Sequence, residues 1–280
     1  MLCGLLDRAA ELKSGRESGA GAEALSGRTV ALVFERPSTR TRVSFQVAVT
    51  ELGAHPLPLR SDELQLERGE SIADTARVLS RYLHAIVIRS AAHESAAQLA
   101  AGSGVPVINA LTPLHHPCQA LADLLTLRER FGALDGLRVA YVGDGNNVAR
   151  SLAILGRAVG VEVRIATPPG YELEDDGFAA LVTPDPHEAA AGADALYTDV
   201  WVSMGDEADA QSRREALAPF QLNDALLAEA SERAIVLHCL PAHPGEEITE
   251  SLLYGPRSAV WDQAENRLHA QKALLELLVG

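Results

Sequence analysis

The chain has 280 residues, a formal net charge of −14, and is 47% hydrophobic and 22% charged. That length allows one large or two medium domains with a substantial core, and the composition is ordinary for a globular protein. The acidic balance argues against a nucleic-acid partner. Short, interrupted apolar runs argue against a membrane span. Asp7 and Glu11 fall where a signal peptide would need an unbroken apolar core, so a cytoplasmic protein is expected.

Taken in chain order, the run TVALVF (Thr29–Phe34) reads as a buried strand and Val43–Leu52 as a helix. A polar loop over Leu59–Gly69 leads to a helix over Ser71–Tyr82, capped by Ser71, and then to the strand HAIVIR (His84–Arg89). A further helical stretch precedes VPVINA (Val105–Ala110), and a long helix covers His116–Gly132. The pattern restarts with strands at Leu137–Gly143, Val161–Ala166, Ala193–Val200 and Ala234–Leu240, with a helix over Asn147–Val159 and a closing helix over Gln263–Val279. Strand and helix in alternation predict an α/β fold with parallel sheets flanked by helices. The restart predicts two domains of similar size, one over 1–128 and one over 129–262, with the closing helix (263–280) returning to the first.

In such sheets ligands bind beyond the carboxyl ends of the strands, and each unusual polar cluster here follows a strand. Ser38-Thr39-Arg40-Thr41-Arg42 sits where TVALVF ends and a helix begins. Free N–H groups at a helix start, hydroxyls and a planar guanidinium make an anion site, whereas an ordinary cap needs only one such residue. Arg89 closes the next strand and by itself reads as a solvated strand end. His116 and Gln119 lie three apart at a helix start, with Pro117 in the first turn. They suit a small amide-like ligand or simply a polar helix start. Gly143-Asp144-Gly145-Asn146-Asn147 has incomplete glycine spacing for a dinucleotide, and the next strand lacks an acid for a ribose, so a polar turn placing Asn147 beside a ligand fits better. Asp199 and Cys239 emerge from two strands of one sheet and are expected to meet there; a lone buried thiol is otherwise usually inert. Cys3, Cys118 and Cys239 fit neither a disulfide framework nor a zinc cluster, and the scattered histidines give no metal spacing. All but two of the 24 basic residues, Lys13 and Lys272, are arginine, so arginine position carries more information than arginine number.

STRTR, GESIADTARVLSR, HPCQ, GDGNN, DVWVSMG, HCLP and AENR occur in this order across nearly the whole chain. Together they resemble the aspartate/ornithine carbamoyltransferase family, and DVWVSMG with HCLP resembles its ornithine branch. The resemblance implies transfer of the carbamoyl group of carbamoyl phosphate to the side-chain amine of L-ornithine, giving L-citrulline and phosphate, with no cofactor or metal. It implies that Ser38, Thr39, Arg40 and Thr41 hold the phosphate, assisted by Arg89, and that Gln65 reaches a neighbouring subunit's site in a homotrimer. His116 and Gln119 would bind the carbamoyl group, with Arg267 completing that site. Cys239 and Leu240 would line the reaction centre, and Asn147, Asp199, Ser203 and Met204 would hold ornithine. Arg40, His116, Asp199 and Cys239 would carry the catalysis. The alternatives are a relative that carbamoylates putrescine or N-acetylornithine, or an inactive family member acting as a binding subunit. Many family members carry additional residues ahead of those aligning with Leu5–Lys13, so either a truncated first helix or a start set too late is expected.

Overall fold

The computed structural model describes residues 1–60, 70–173, 177–203, 205 and 207–280. Gln65 and Met204, both singled out above, lie outside the described residues. The rest form two compact units, Met1–Leu121 with Asn266–Gly280, and Ala122–Glu265.

The first unit contains α1 (Leu2–Ser14), β1 (Thr29–Phe34), α2 (Thr39–Glu51), β2 (His55–Arg60), α3 (Ile72–Leu79), β3 (Ala85–Arg89), α4 (His93–Gly102) and β4 (Val107–Leu111). It also takes in the start of α5 (Pro117–Phe131). Its strands are parallel, in the order β2-β1-β3-β4. Alternation along the strands divides their side chains between two apolar layers. Val30, Leu32, Ala85, Val87 and Ile108 pack with Phe45, Ala48 and Val49 of α2. Ala31, Val33, Ile86 and Ile88 pack with Ala76, Ala96 and Leu99. Each large apolar side chain buried this way contributes about 1.5–3 kcal/mol relative to exposure.

The strand β2 was not anticipated, because HPLPLR carries two prolines. It is an edge strand, the position where a sheet tolerates proline. The His55 N–H donates to the Arg28 carbonyl on the β1 side (2.8 Å), so the N–H groups missing at Pro56 and Pro58 are ones that would point away from the sheet.

The second unit takes in the rest of α5, then β5 (Arg138–Val142), α6 (Asn147–Ala158), β6 (Glu162–Ala166), β7 (Leu181–Thr183), α7 (Pro186–Ala190), β8 (Ala195–Thr198), α8 (Ala210–Leu217), α9 (Asp224–Glu229), β9 (Ile235–His238) and α10 (Glu250–Leu253). Its parallel sheet runs β7-β6-β5-β8-β9. The last helix, α11 (Val260–Val279), begins here and ends in the first unit. There Leu268, Leu275 and Val279 join the apolar layer of α2, and Glu276 pairs with Arg8 of α1 at 2.7 Å. Among the described residues no helix is long and apolar enough to cross a membrane.

Both sheets reverse their winding direction once. In the first unit the chain goes outward from β1 to β2 and then returns past β1 to β3; in the second it goes β5, β6, β7 and returns to β8. Loops diverge at such a switch point and leave a crevice at the strand ends. Ser38–Arg42 follow β1, Arg89 ends β3, and Gly143–Asn147 and Asp199 follow β5 and β8. Topology therefore sends the polar clusters to the two positions where an α/β sheet binds ligands.

Candidate active site

In the first unit, Ser38 is the N-cap of α2, its hydroxyl accepting the Thr41 N–H at 3.3 Å. Phe34 and Arg89 are register partners at the ends of β1 and β3, which brings Arg89 Nη1 to 3.4 Å from Ser38 Oγ. Thr39 and Arg40 are exposed in the first turn, while Thr41 is buried. The buried Arg267 of α11 donates through Nη1 to Gln119 Oε1 (2.7 Å) and through Nη2 to Thr41 Oγ1 (2.8 Å). One guanidinium thus ties the starts of α2 and α5 together. The structure brings Ser38, Thr41, Arg89, Gln119 and Arg267 into one hydrogen-bonded cluster.

Its electrostatics are those of an anion site. Burial pulls the Arg89 pKa down to about 10, and repulsion from Arg267, Arg40 and Arg36 adds to it. His116 is held well below its ordinary 6.5 by burial and then by Arg267, Arg89 and Arg40. It is therefore neutral at pH 7, able to donate one ring N–H without adding charge. Cys118, in the first turn of the helix that follows His116, is pushed up to about 12 by burial and remains a thiol.

The His116 shift makes a prediction. Because its folded pKa is depressed, the unfolded chain takes up a proton that the folded one refuses. The stability contribution is complete above pH 6.5 and is lost as pH falls from there towards the lowered folded value. Urea-unfolding midpoints of the wild type should fall between pH 6.5 and 5, and the same profile for His116→Gln should be shallower. Parallel profiles for the two proteins would contradict the assignment.

In the second unit the turn after β5 is shaped by glycine. Gly143 has φ +138°, and a Cβ on Gly145 would collide with the backbone of Glu172 and Leu173. The turn places Asn146 where it joins α6 to the loop after β8. Asn146 caps α6, its Oδ1 accepting the N–H groups of Val148 and Ala149, and its Nδ2 donates to Asp199 Oδ2 at 2.8 Å. The sequence reading passed over Asn146, although an asparagine directly before an apolar-periodic helix is a standard cap signal. Asn147 is the half-buried first residue of the helix.

Asp199 and Cys239 meet as expected from adjacent strands, since Thr198 and His238 are register partners. The Cys239 thiol donates to Asp199 Oδ1 at 2.7 Å, and the Val200 N–H donates to the same oxygen at 2.8 Å. Beneath them lie Tyr141 and Tyr197, ring centroids 5.4 Å apart. Both phenols are pushed well up, first by burial; next in order come Asp199 for Tyr141 and Asp123 for Tyr197. Ser203 is half-buried four residues beyond Asp199.

Leu240 adopts φ +58°, an uncommon conformation for a branched residue that costs roughly 1–2 kcal/mol. It is held by its N–H, which donates to His238 Nδ1 at 2.8 Å. That bond assigns the ring proton to Nε2, facing the fully buried Glu247 at 3.2 Å. Strain over-determined in this way concentrates at functional sites. Asp199, His238 and Cys239 also have their ligand atoms within 4.8 Å of one another, but His238 already engages both ring nitrogens. A cation there would have to displace one of those bonds.

Residues 2–129 match the carbamoyl-P binding domain of aspartate/ornithine carbamoyltransferase, and residues 135–278 match the Asp/Orn binding domain. The chain belongs to the aspartate/ornithine carbamoyltransferase family. An ornithine carbamoyltransferase of Acidothermus cellulolyticus is 56% identical over 98% of this chain and 91% of its own length. An anabolic ornithine carbamoyltransferase of Pyrococcus furiosus is 49% identical over 99% of this chain and 91% of its own. The solved ornithine carbamoyltransferase from Pyrococcus furiosus superposes with a TM-score of 0.94 at 49% identity, covering 100% of this chain and 93% of that one. A solved acetylornithine transcarbamylase complexed with acetylcitrulline shares the fold at a TM-score of 0.87 and 30% identity, covering 100% of this chain and 96% of that one.

Proposed function

We propose that this chain is an ornithine carbamoyltransferase, transferring the carbamoyl group of carbamoyl phosphate to the side-chain amine of L-ornithine to give L-citrulline and phosphate. The observation that carries the reading is the cluster of Arg89, Arg40, Arg36 and Arg267 at a helix N-terminus. Arg267 is buried and Arg89 half-buried beside the exposed Arg36 and Arg40, and the repulsion among them costs folding free energy that a bound phosphate returns.

The chemistry asks for little beyond placement and charge. The neutral amine nitrogen attacks the carbonyl carbon, the bond from that carbon to the phosphate oxygen breaks, and the proton lost from the nitrogen passes to the departing phosphate. Carbamoyl phosphate carries its own leaving group, so the reaction calls for neither cofactor nor metal. In the first unit, Ser38, Thr39, Arg40, Thr41 and Arg89 take the phosphate, and His116, Gln119 and Arg267 take the carbamoyl group. A neutral His116 suits a developing oxyanion, because it donates a hydrogen bond without having to lose an ionic charge. In the second unit, Asn147, Asp199, Ser203 and Met204 take ornithine, and Cys239 and Leu240 stand at the reaction centre.

An alkyl amine with a pKa of about 10.4 must lose its proton to react, which at pH 7 costs on the order of 4.6 kcal/mol. Asp199 is the group suited to receive the ammonium, and Cys239, already donating to it, shares the proton inventory. Biosynthetic direction within arginine metabolism, a cytoplasmic location and a homotrimer with Gln65 reaching the neighbouring subunit's site complete the proposal.

Ureido-product formation by the purified chain tests it, with carbamoyl phosphate and L-ornithine, N-acetylornithine, putrescine, L-aspartate or L-lysine as the amine. We expect ornithine to be preferred by at least tenfold in kcat/KM. Preference for another amine would reassign the second unit, and no product with any of them would make the chain a binding subunit.

A further inference from the structure

The side chain that organises the second unit's ligand-facing loops is one that no motif singled out. Arg213 projects from α8, and its guanidinium reaches three separate segments. Nε donates to the Trp201 carbonyl at 2.6 Å, Nη2 pairs with Asp144 Oδ2, and the plane lies 5.0 Å from the centroid of the Tyr171 ring. Arg213 and Asp144 are both largely buried, at 14% and 15% side-chain exposure, so this contact is not a screened surface pair. Tyr171 is fixed in turn, its carbonyl accepting the Gly145 N–H at 2.9 Å and the Thr167 hydroxyl at 2.5 Å.

The placement of these contacts along the chain gives them their meaning. Trp201 lies two residues after Asp199 and two before Ser203. Asp144 lies two residues before Asn146, which donates to Asp199, and three before Asn147. Arg213 therefore clasps, at equal remove, the two loops that leave β5 and β8 at the switch point of the sheet. Trp201, Asp144 and Tyr171 all belong to the second unit. A planar fork with donors on different edges can serve the carbonyl and the carboxylate at once, which a lysine ammonium at the end of a flexible stem cannot.

We propose that Arg213 is a positioning residue for the amine substrate, holding the loop that carries Asp199 and the turn that carries Asn146 and Asn147 in binding register. It touches no reacting atom. This rests on the functional reading above. Displacements of about 1 Å in a binding constellation cost on the order of 10²-fold, so loss of the clasp acts strongly on ornithine and little on the anion site of the other unit.

Steady-state kinetics of Arg213→Ala, Arg213→Lys and Asp144→Asn, with both substrates varied, test the proposal. We expect the ornithine KM of Arg213→Ala to rise by at least tenfold while the carbamoyl-phosphate KM stays within twofold. Arg213→Lys and Asp144→Asn should fall between it and the wild type. Millimolar guanidinium chloride should lower the ornithine KM of Arg213→Ala and leave the wild type unchanged. Equal rises in both KM values, or a loss of kcat tracking a lower melting temperature in all three variants, would reduce Arg213 to a fold-stabilising residue and overturn the proposal. An unchanged ornithine KM in Arg213→Ala would overturn it too. Failure of the wild type to use ornithine in the same assay would instead overturn the functional reading.

Discussion

Replacing Arg40 with alanine should lower kcat/KM by at least about 10²–10³-fold, the range seen when one preorganised donor to a developing charge is removed. The melting temperature should move little. Arg40 is exposed in the first turn of α2, and its charge lies close enough to Arg89 and His116 to depress the pKa of both. Removing it relieves repulsion in the ligand-free protein, so any change in stability should be small or favourable. That combination separates a ligand-serving arginine from a structural one, whose loss would cost stability and activity together. The check is paired thermal unfolding and initial rates with carbamoyl phosphate varied. Normal saturation by carbamoyl phosphate would remove Arg40 from the site.

Asp199→Asn should be the more damaging of the two, by at least about 10³-fold in kcat/KM, by analogy with an isosteric loss of a catalytic carboxylate's charge. The carboxylate accepts from the Cys239 thiol, the Val200 N–H and Asn146 Nδ2, three donors to two oxygens. An asparagine there presents one oxygen and an NH2, so at least one of those donors is left facing another donor in a site only 8% exposed. It also removes the negative charge proposed to receive the ammonium. Stability is thus expected to fall as well, so the informative number is the ornithine dependence of the surviving rate in folded protein. If that rate saturates with ornithine as the wild type does, Asp199 is not the amine's partner.

Legibility in the sequence followed the physics of each element. β1 coincides with TVALVF, and most other strands lie within one or two residues of expectation, because a parallel strand buried on both faces is a run of apolar residues between turns. β2 did not, since two prolines contradict a strand unless one already knows it lies at the edge. Residues belonging to a recognisable string, such as Ser38 to Thr41 or His116 with Gln119, were visible as candidates. Asn146 was hidden by its neighbour, as two adjacent asparagines give no sign of which faces the sheet and which begins the helix. Arg213 was invisible for another reason. Its importance comes from Asp144, Tyr171 and Trp201, 69, 42 and 12 positions away in the chain, and no local pattern marks a side chain whose role is to join segments.

The prolines of β2 have a consequence beyond prediction. A sheet edge is where a second polypeptide adds by strand pairing, the step that begins fibrous aggregation. At Pro56 and Pro58 the outward-pointing donors do not exist, so on that side a newcomer would find carbonyls without the alternating N–H groups it needs. The first unit thus presents a border closed to templated growth, while its inward hydrogen bonds to β1 remain whole. Of the outward-facing positions only Arg60 keeps a donor, so a second copy of this chain would gain little by extending the sheet across that edge.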